Sequence, residues 1–263
     1  VVRLIAILLL ASSCFAGVVA NLAANIIGNN KPVLQQLFSN DSDYIDNNGN
    51  PDISAIATTL KLNSLLNLSY NKDVKFDVKF KTEQSSPLLL IKIVKDAMSK
   101  LGYNEILTTG FLNDGNVTFD ISVSNRFVLD PGAFYSALKS SNTIIKNIKK
   151  TGDFSYFYEL DISNSSVQNI QVNFGENDLN KPLSAYLVEV GNAKTITIQA
   201  KSEDHWECIV RLLDKRLNLI EEKHSNGPIQ NIEIQIPDLT KYIMIDDKNS
   251  LENIRHGLKI YLK

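Results

Sequence analysis

The densest set of metal-ligand side chains in this sequence is Asp41, Asp43, Asp46 and Asp52, with Asn48 and Asn50 interleaved. Carboxylates and amide oxygens at such spacing are what Ca²⁺ requires, since it takes six to eight oxygen ligands. The EF-hand register fails, however. Counted from Asp41, the sixth position is Asp46 rather than Gly and the twelfth is Asp52 rather than Glu. Counted from Asp46, the same positions are Pro51 and Ala57. The Asn, Gly and Pro content of residues 39–52 is turn chemistry. The expectation is a solvated loop with no tight Ca²⁺ affinity and no metal site.

His205, His224 and His256 lack the short spacing of a zinc site. There is no Gly-x-Ser-x-Gly elbow, phosphate-binding Gly-rich loop or dinucleotide fingerprint. Adjacent acids such as Glu221-Glu222 and Asp246-Asp247 fall in strand-like runs, where neighbours point to opposite faces. No catalytic residues are assigned, and the chain is expected to be non-enzymatic and to need no cofactor. The remaining candidates are aromatic. Phe154, Tyr156 and Tyr158 are expected on one face of a strand that closes a sheet, with Phe157 and Leu160 on the other. Tyr156, Tyr158 and Trp206 could stack on a sugar ring or dock a partner if exposed. Burial against helices is the expected fate of Phe154, Tyr156 and Tyr158, and the opposite face of the sheet is expected to meet the N-terminal helices or the C-terminal half.

The elements that would hold these residues fall into two halves. An Ala-rich apolar run over 18–27 and a second over 31–38 have helical spacing, and Asp52 can cap a helix over 53–66. Residues 74–80 alternate strictly, as a half-buried strand does. Pro87 opens a helix over 88–101 that Gly102 closes. Strands over 103–112 and 117–123 flank Asp114-Gly115, a hairpin signal. Asp130-Pro131 starts a short helix to residue 138, and a second hairpin over 143–149 and 154–162 turns on Thr151-Gly152-Asp153. From residue 167 only short strands are expected: 167–172, 184–188, 195–200, 206–213, 229–236, 242–245 and 258–262.

The fold class is therefore α+β. The strand–helix–strand–strand–helix order resembles a ferredoxin-like split β-α-β module with an added strand, followed by an all-β sandwich. The run TITIQAKSEDHWECIVRLLDKRLNLIEE and then IEIQIPDLTKYIMIDD resembles jelly-roll domains of the galactose-binding and pre-peptidase C-terminal kind. The expected segments are a signal peptide over 1–16, an N-terminal helical region over 17–72, the ferredoxin-like domain over 73–163 and the sandwich over 167–263.

Residues 1–16 carry the address. Arg3 supplies a positive start, residues 4–11 are uninterruptedly apolar, and Cys14-Phe15-Ala16 before Gly17 suits signal-peptidase cleavage after Ala16. Cys14 could instead be the lipidated residue of a lipoprotein, and the apolar stretch is too short to span a membrane. Cys208 would then be the one cysteine of the mature chain, without an internal disulfide and expected as a buried small hydrophobe. With a net charge of −2, nucleic acid is not an expected partner. The abundance of Asn, Lys, Ile and Ser suits an AT-rich bacterial genome, and the layout resembles exported periplasmic proteins of bacteria. The expected function is a periplasmic or secreted cell-envelope protein acting through protein–protein contacts. The alternatives are glycan binding by the sandwich and a hydrolase whose site is assembled from distant residues.

Overall fold

A computed structural model describes residues 17–29 and 31–263. The signal-peptide reading and the lipidation of Cys14 fall outside those residues. The class is α+β, with three sheets among the described residues, and the chain divides into two compact units between Ser166 and Val167. No described helix is long and apolar enough to cross a membrane.

The first unit begins with α1 (Val18–Ile27), which buries Val19, Ala20, Ala23 and Ile26 and ends at Gly28 with φ +70°. After the short α2 (Val33–Leu37) and a 3-10 turn (Asp41–Tyr44), α3 (Ile53–Leu62) starts at Asp52, whose Oδ1 accepts from Ala55 N–H. The helix stops four residues before the expected 66. Asn63 folds its side chain back onto Thr59 O, and Ser64 takes φ +56°.

Next come β1 (Ser69–Thr82), α4 (Pro87–Lys100), β2 (Leu107–Asn113), β3 (Val117–Phe127), α5 (Pro131–Lys139), β4 (Ile144–Gly152) and β5 (Ser155–Asp161). They form a five-stranded sheet in the order β2-β3-β1-β5-β4. β3 runs antiparallel to both β1 and β2, and β5 is parallel to β1. At the α3–α5 crossing, Gly132 lets the helices approach: a Cβ there would lie 3.1 Å from both Ser54 Cα and Ala57 Cβ. Asp130 caps α5 through Gly132 N–H at 2.8 Å and receives Lys61 Nζ of α3 at 2.6 Å on its other oxygen.

The core lies under one face of this sheet. Phe76, Val78 and Phe80 of β1, Phe119 and Ile121 of β3, and Tyr156, Tyr158 and Leu160 of β5 all point into it. Three sequence-based expectations are corrected here. β5 lies inside the sheet, with β4 at the edge. Leu160 shares parity with Tyr158 and is buried beside it, while Phe154 sits in the β4–β5 turn and packs its ring edge-on to Tyr70 at 5.1 Å. The sheet is also not apolar on both sides. The N-terminal helix α1 lies on the Tyr156 face, where Gly28 meets the Lys150 side chain. The opposite face carries exposed Lys75, Asp77 and Lys79, with Lys79 3.3 Å from Asp120. β1's own alternation of charged and apolar residues dictates this one-sided burial.

The second unit contains β6 (Ile170–Gln171), β7 (Gly175–Leu179), β8 (Tyr186–Glu189), β9 (Thr195–Ala200), β10 (Cys208–Leu213), β11 (Leu219–His224), β12 (Asn231–Gln235), β13 (Tyr242–Asp247) and β14 (Leu258–Leu262), with a 3-10 turn at Leu251–Ile254. Two sheets, β11-β10-β13-β8-β6 and β12-β9-β14-β7, share one core around Trp206, Ile196, Ile198, Val210, Ile243 and Ile260. Gly257, with φ +83°, seats this core's last strand. A Cβ there would lie 2.0 Å from Leu179 O.

Candidate functional site

Each sheet edge offers unpaired backbone groups to another chain, and native edges are guarded by charge, Pro, shortness, bulges or covering elements. Among the described residues, five of the six edges are guarded by charge or by shortness. β4 carries Lys146, Lys149 and Lys150; β11 carries Glu221, Glu222 and Lys223; β12 carries Glu233; β7 carries Glu176 and Asp178; β6 is two residues long.

β2 is the exception. Its sequence, Leu-Thr-Thr-Gly-Phe-Leu-Asn, holds no charge and no Pro, and six of its seven residues are exposed. Leu107 is 63% exposed, and Phe111 and Leu112 are each 50% exposed. The register explains this double exposure. Phe111 lies opposite Phe119 on the helix-covered face, while Leu107 and Leu112 lie opposite Ser122 and Thr118 on the open face. A register shift between Thr108 and Gly110 adds a bulge to β2, the one edge-guarding feature this strand has. Gly110 fits there because a Cβ would come within 2.9 Å of Asp120 Oδ2. Glu105 and Asp114 bracket the strand, both exposed and neither in an ion pair among the described residues.

Elsewhere in this unit, a cleft of about 650 Å³ lies between the 45–52 loop and the end of α5. Asp46 organises it. Its Oδ1 accepts from Asn48 N–H at 2.9 Å and Asn50 N–H at 3.0 Å, and its Oδ2 accepts from the Tyr135 hydroxyl at 3.1 Å. Partial burial pushes this carboxyl up. The two N–H groups, the phenol and the Lys139 ammonium outweigh that and hold it below its ordinary value. Lys139 lies over the Tyr135 ring, 4.5 Å from its centroid. Burial raises the Tyr135 phenol, with Asp46 adding to the rise against Lys139.

The acidic loop does not converge on a point. Asp43 accepts from Asn40, Asp46 closes its own turn, Asp52 caps α3, and Asp41 is buried with no hydrogen-bond partner on either oxygen. Desolvation raises the Asp41 carboxyl. No cluster of three or more His, Cys, Asp or Glu side chains suited to a metal occurs among the described residues.

The three aromatic candidates are buried, which removes them as an exposed stacking platform. Tyr158 is fully enclosed between Phe80, stacked at 5.7 Å, and Phe134, edge-on at 5.2 Å. Tyr156 is tilted against it at 6.4 Å and is 3% exposed. Trp206 is fully buried in the second unit, its indole N–H donating to Asp246 O at 2.9 Å. Cys208 is buried beside it, and burial pushes its thiol up. His205 and His224 are exposed. His256, also exposed, places Nδ1 2.7 Å from Oδ1 of buried Asp204. A loop cavity of about 760 Å³ near Lys194 and Asp238 includes Leu239, 87% exposed at φ +73°.

The sequence reading missed Leu107, Phe111 and Leu112 as a surface. The available signal was a seven-residue run without charge or alternation, between two acids, where the other described strands of more than two residues have one or the other. No family model, curated protein or solved structure matches this chain.

Proposed function

We propose that this chain is an exported, non-enzymatic protein of the bacterial cell envelope that works by protein–protein contact, with β2 as the contact strand. The carrying observation is the uncharged edge: a neutral strand exposed on both faces, guarded by a single bulge, where the other edges among the described residues carry charge or are two residues long. A strand added to it would gain a ladder of backbone hydrogen bonds and cover Leu107, Phe111 and Leu112. In this reading the first unit is a ferredoxin-like module. Its β1-α4-β2 crossover leaves β3 between its two strands, and β5 is inserted between β1 and β4. The second unit is read as a jelly-roll-like sandwich. The glycan alternative loses support from the burial of Trp206, Tyr156 and Tyr158.

The test is a photo-crosslinking amino acid placed at Leu112 and, as a control, at Lys149 on the opposite edge, in cells of the native host. The expected result is a discrete protein adduct at Leu112, recovered from the envelope fraction, and none at Lys149. Equal labelling at both positions, or none at Leu112, would refute the contact strand.

A further inference from the structure

Resting on that reading of β2, we infer that its partner is an extended, uninterruptedly apolar segment of another protein, flanked at both ends by Lys or Arg. Two observations select this chemistry. The first is that β2 exposes apolar side chains on both faces, Phe111 on one and Leu107 and Leu112 on the other. An alternating strand would cover only one set, whereas an apolar run covers both. The second is the acid at each end. Glu105 precedes β2 and Asp114 follows it, both exposed and both outside every ion pair formed among the described residues. Charges at the rim of an interface set partner choice and on-rate.

The same charges argue against a second copy pairing through β2. Antiparallel self-pairing sets Glu105 of one copy beside Asp114 of the other, and parallel pairing in register sets each acid against itself. Like charges placed opposite each other destabilise a ladder. A basic-flanked partner converts both clashes into ion pairs.

The experiment uses the purified chain and two labelled synthetic peptides, a Val- and Ile-rich strand bearing lysines at both ends and the same strand bearing glutamates. Anisotropy titration is combined with hydrogen exchange of the β2 amides. The lysine peptide is expected to bind, slow exchange along β2 and weaken with salt. Its affinity should fall about fivefold in Glu105→Gln/Asp114→Asn, the worth of two exposed ion pairs. Leu112→Lys, at an exposed site, should abolish binding without shifting the thermal midpoint. Equal binding of both peptides would overturn the basic-flank inference while leaving the contact strand standing. Failure of both peptides to protect β2 would overturn the inference. Concentration-dependent association of the chain alone, removed by Leu112→Lys, would replace the proposed partner with a second copy. Photo-crosslinking at Leu112 reports on the contact strand separately from either result.

Discussion

The hydroxyl of Tyr158 is buried in the first unit's core with no hydrogen-bond partner, although its ring is packed on both sides. Burial raises the phenol well above its ordinary value, so it stays neutral and brings no charge. A buried polar group without a partner carries its desolvation cost of about 1–3 kcal/mol, uncompensated. Tyr158→Phe removes that group and keeps the stack on Phe80 and the edge contact with Phe134. The variant should therefore be more stable by about 1 kcal/mol, which in a unit of this size raises the midpoint by roughly 3 °C. Tyr158→Ala removes the ring as well and should cost about 3–5 kcal/mol. The molecule contains its own control. All the α-helices among the described residues lie in the first unit, and the single tryptophan lies in the second. Ellipticity at 222 nm therefore follows the first unit, and Trp206 fluorescence follows the second. The 222 nm midpoint should rise in Tyr158→Phe while the Trp206 transition stays in place. A lower 222 nm midpoint would refute the reasoning, because it would mean the hydroxyl contributes a favourable bond.

Three further outcomes follow from the same geometry. Gly257→Ala should destabilise the second unit by more than about 2 kcal/mol, from left-handed strain plus a backbone clash at Leu179 O, whereas Gly191→Ala, also at positive φ but with nothing within 4 Å, should cost about 1 kcal/mol; Trp206 fluorescence melts compare them. Asp130→Ala should lose about 1–2 kcal/mol from the first unit, read at 222 nm, because it uncaps α5 and releases Lys61. For Asp46 the folded carboxyl is held below its ordinary value of about 3.9, so its contribution is fully present above that pH and is lost as pH falls through the folded value; the stability gap between the native chain and Asp46→Asn, measured by urea melts, should be open at pH 7 and close below about pH 4.

Local sequence determined most of the helices and the central strands. Asp52 and Asp130 cap where a side-chain oxygen meets free N–H groups, and Pro87 and Pro131 open helices because their missing N–H costs nothing there. The alternation of Phe76, Val78 and Phe80 with Asp77 and Lys79 stated both the strand and its one-sided burial. β9 and β14 were legible to the residue, because each alternates apolar and polar positions across a buried face. The charged strands β7 and β11 were not legible. Gly-Glu-Asn-Asp-Leu and Leu-Ile-Glu-Glu-Lys-His hold their places by pairing with β14 and β10, and a strand held by pairing leaves little apolar pattern. Strand order lies equally beyond local reading. That β5 enters parallel to β1 and pushes β4 to the edge depends on contacts between residues far apart in sequence, and so does the enclosure of Tyr158. The candidate surface follows from that order. Leu107, Phe111 and Leu112 would be ordinary buried residues in a central strand. Tertiary structure alone left β2 at the edge, where the same side chains face solvent on both sides.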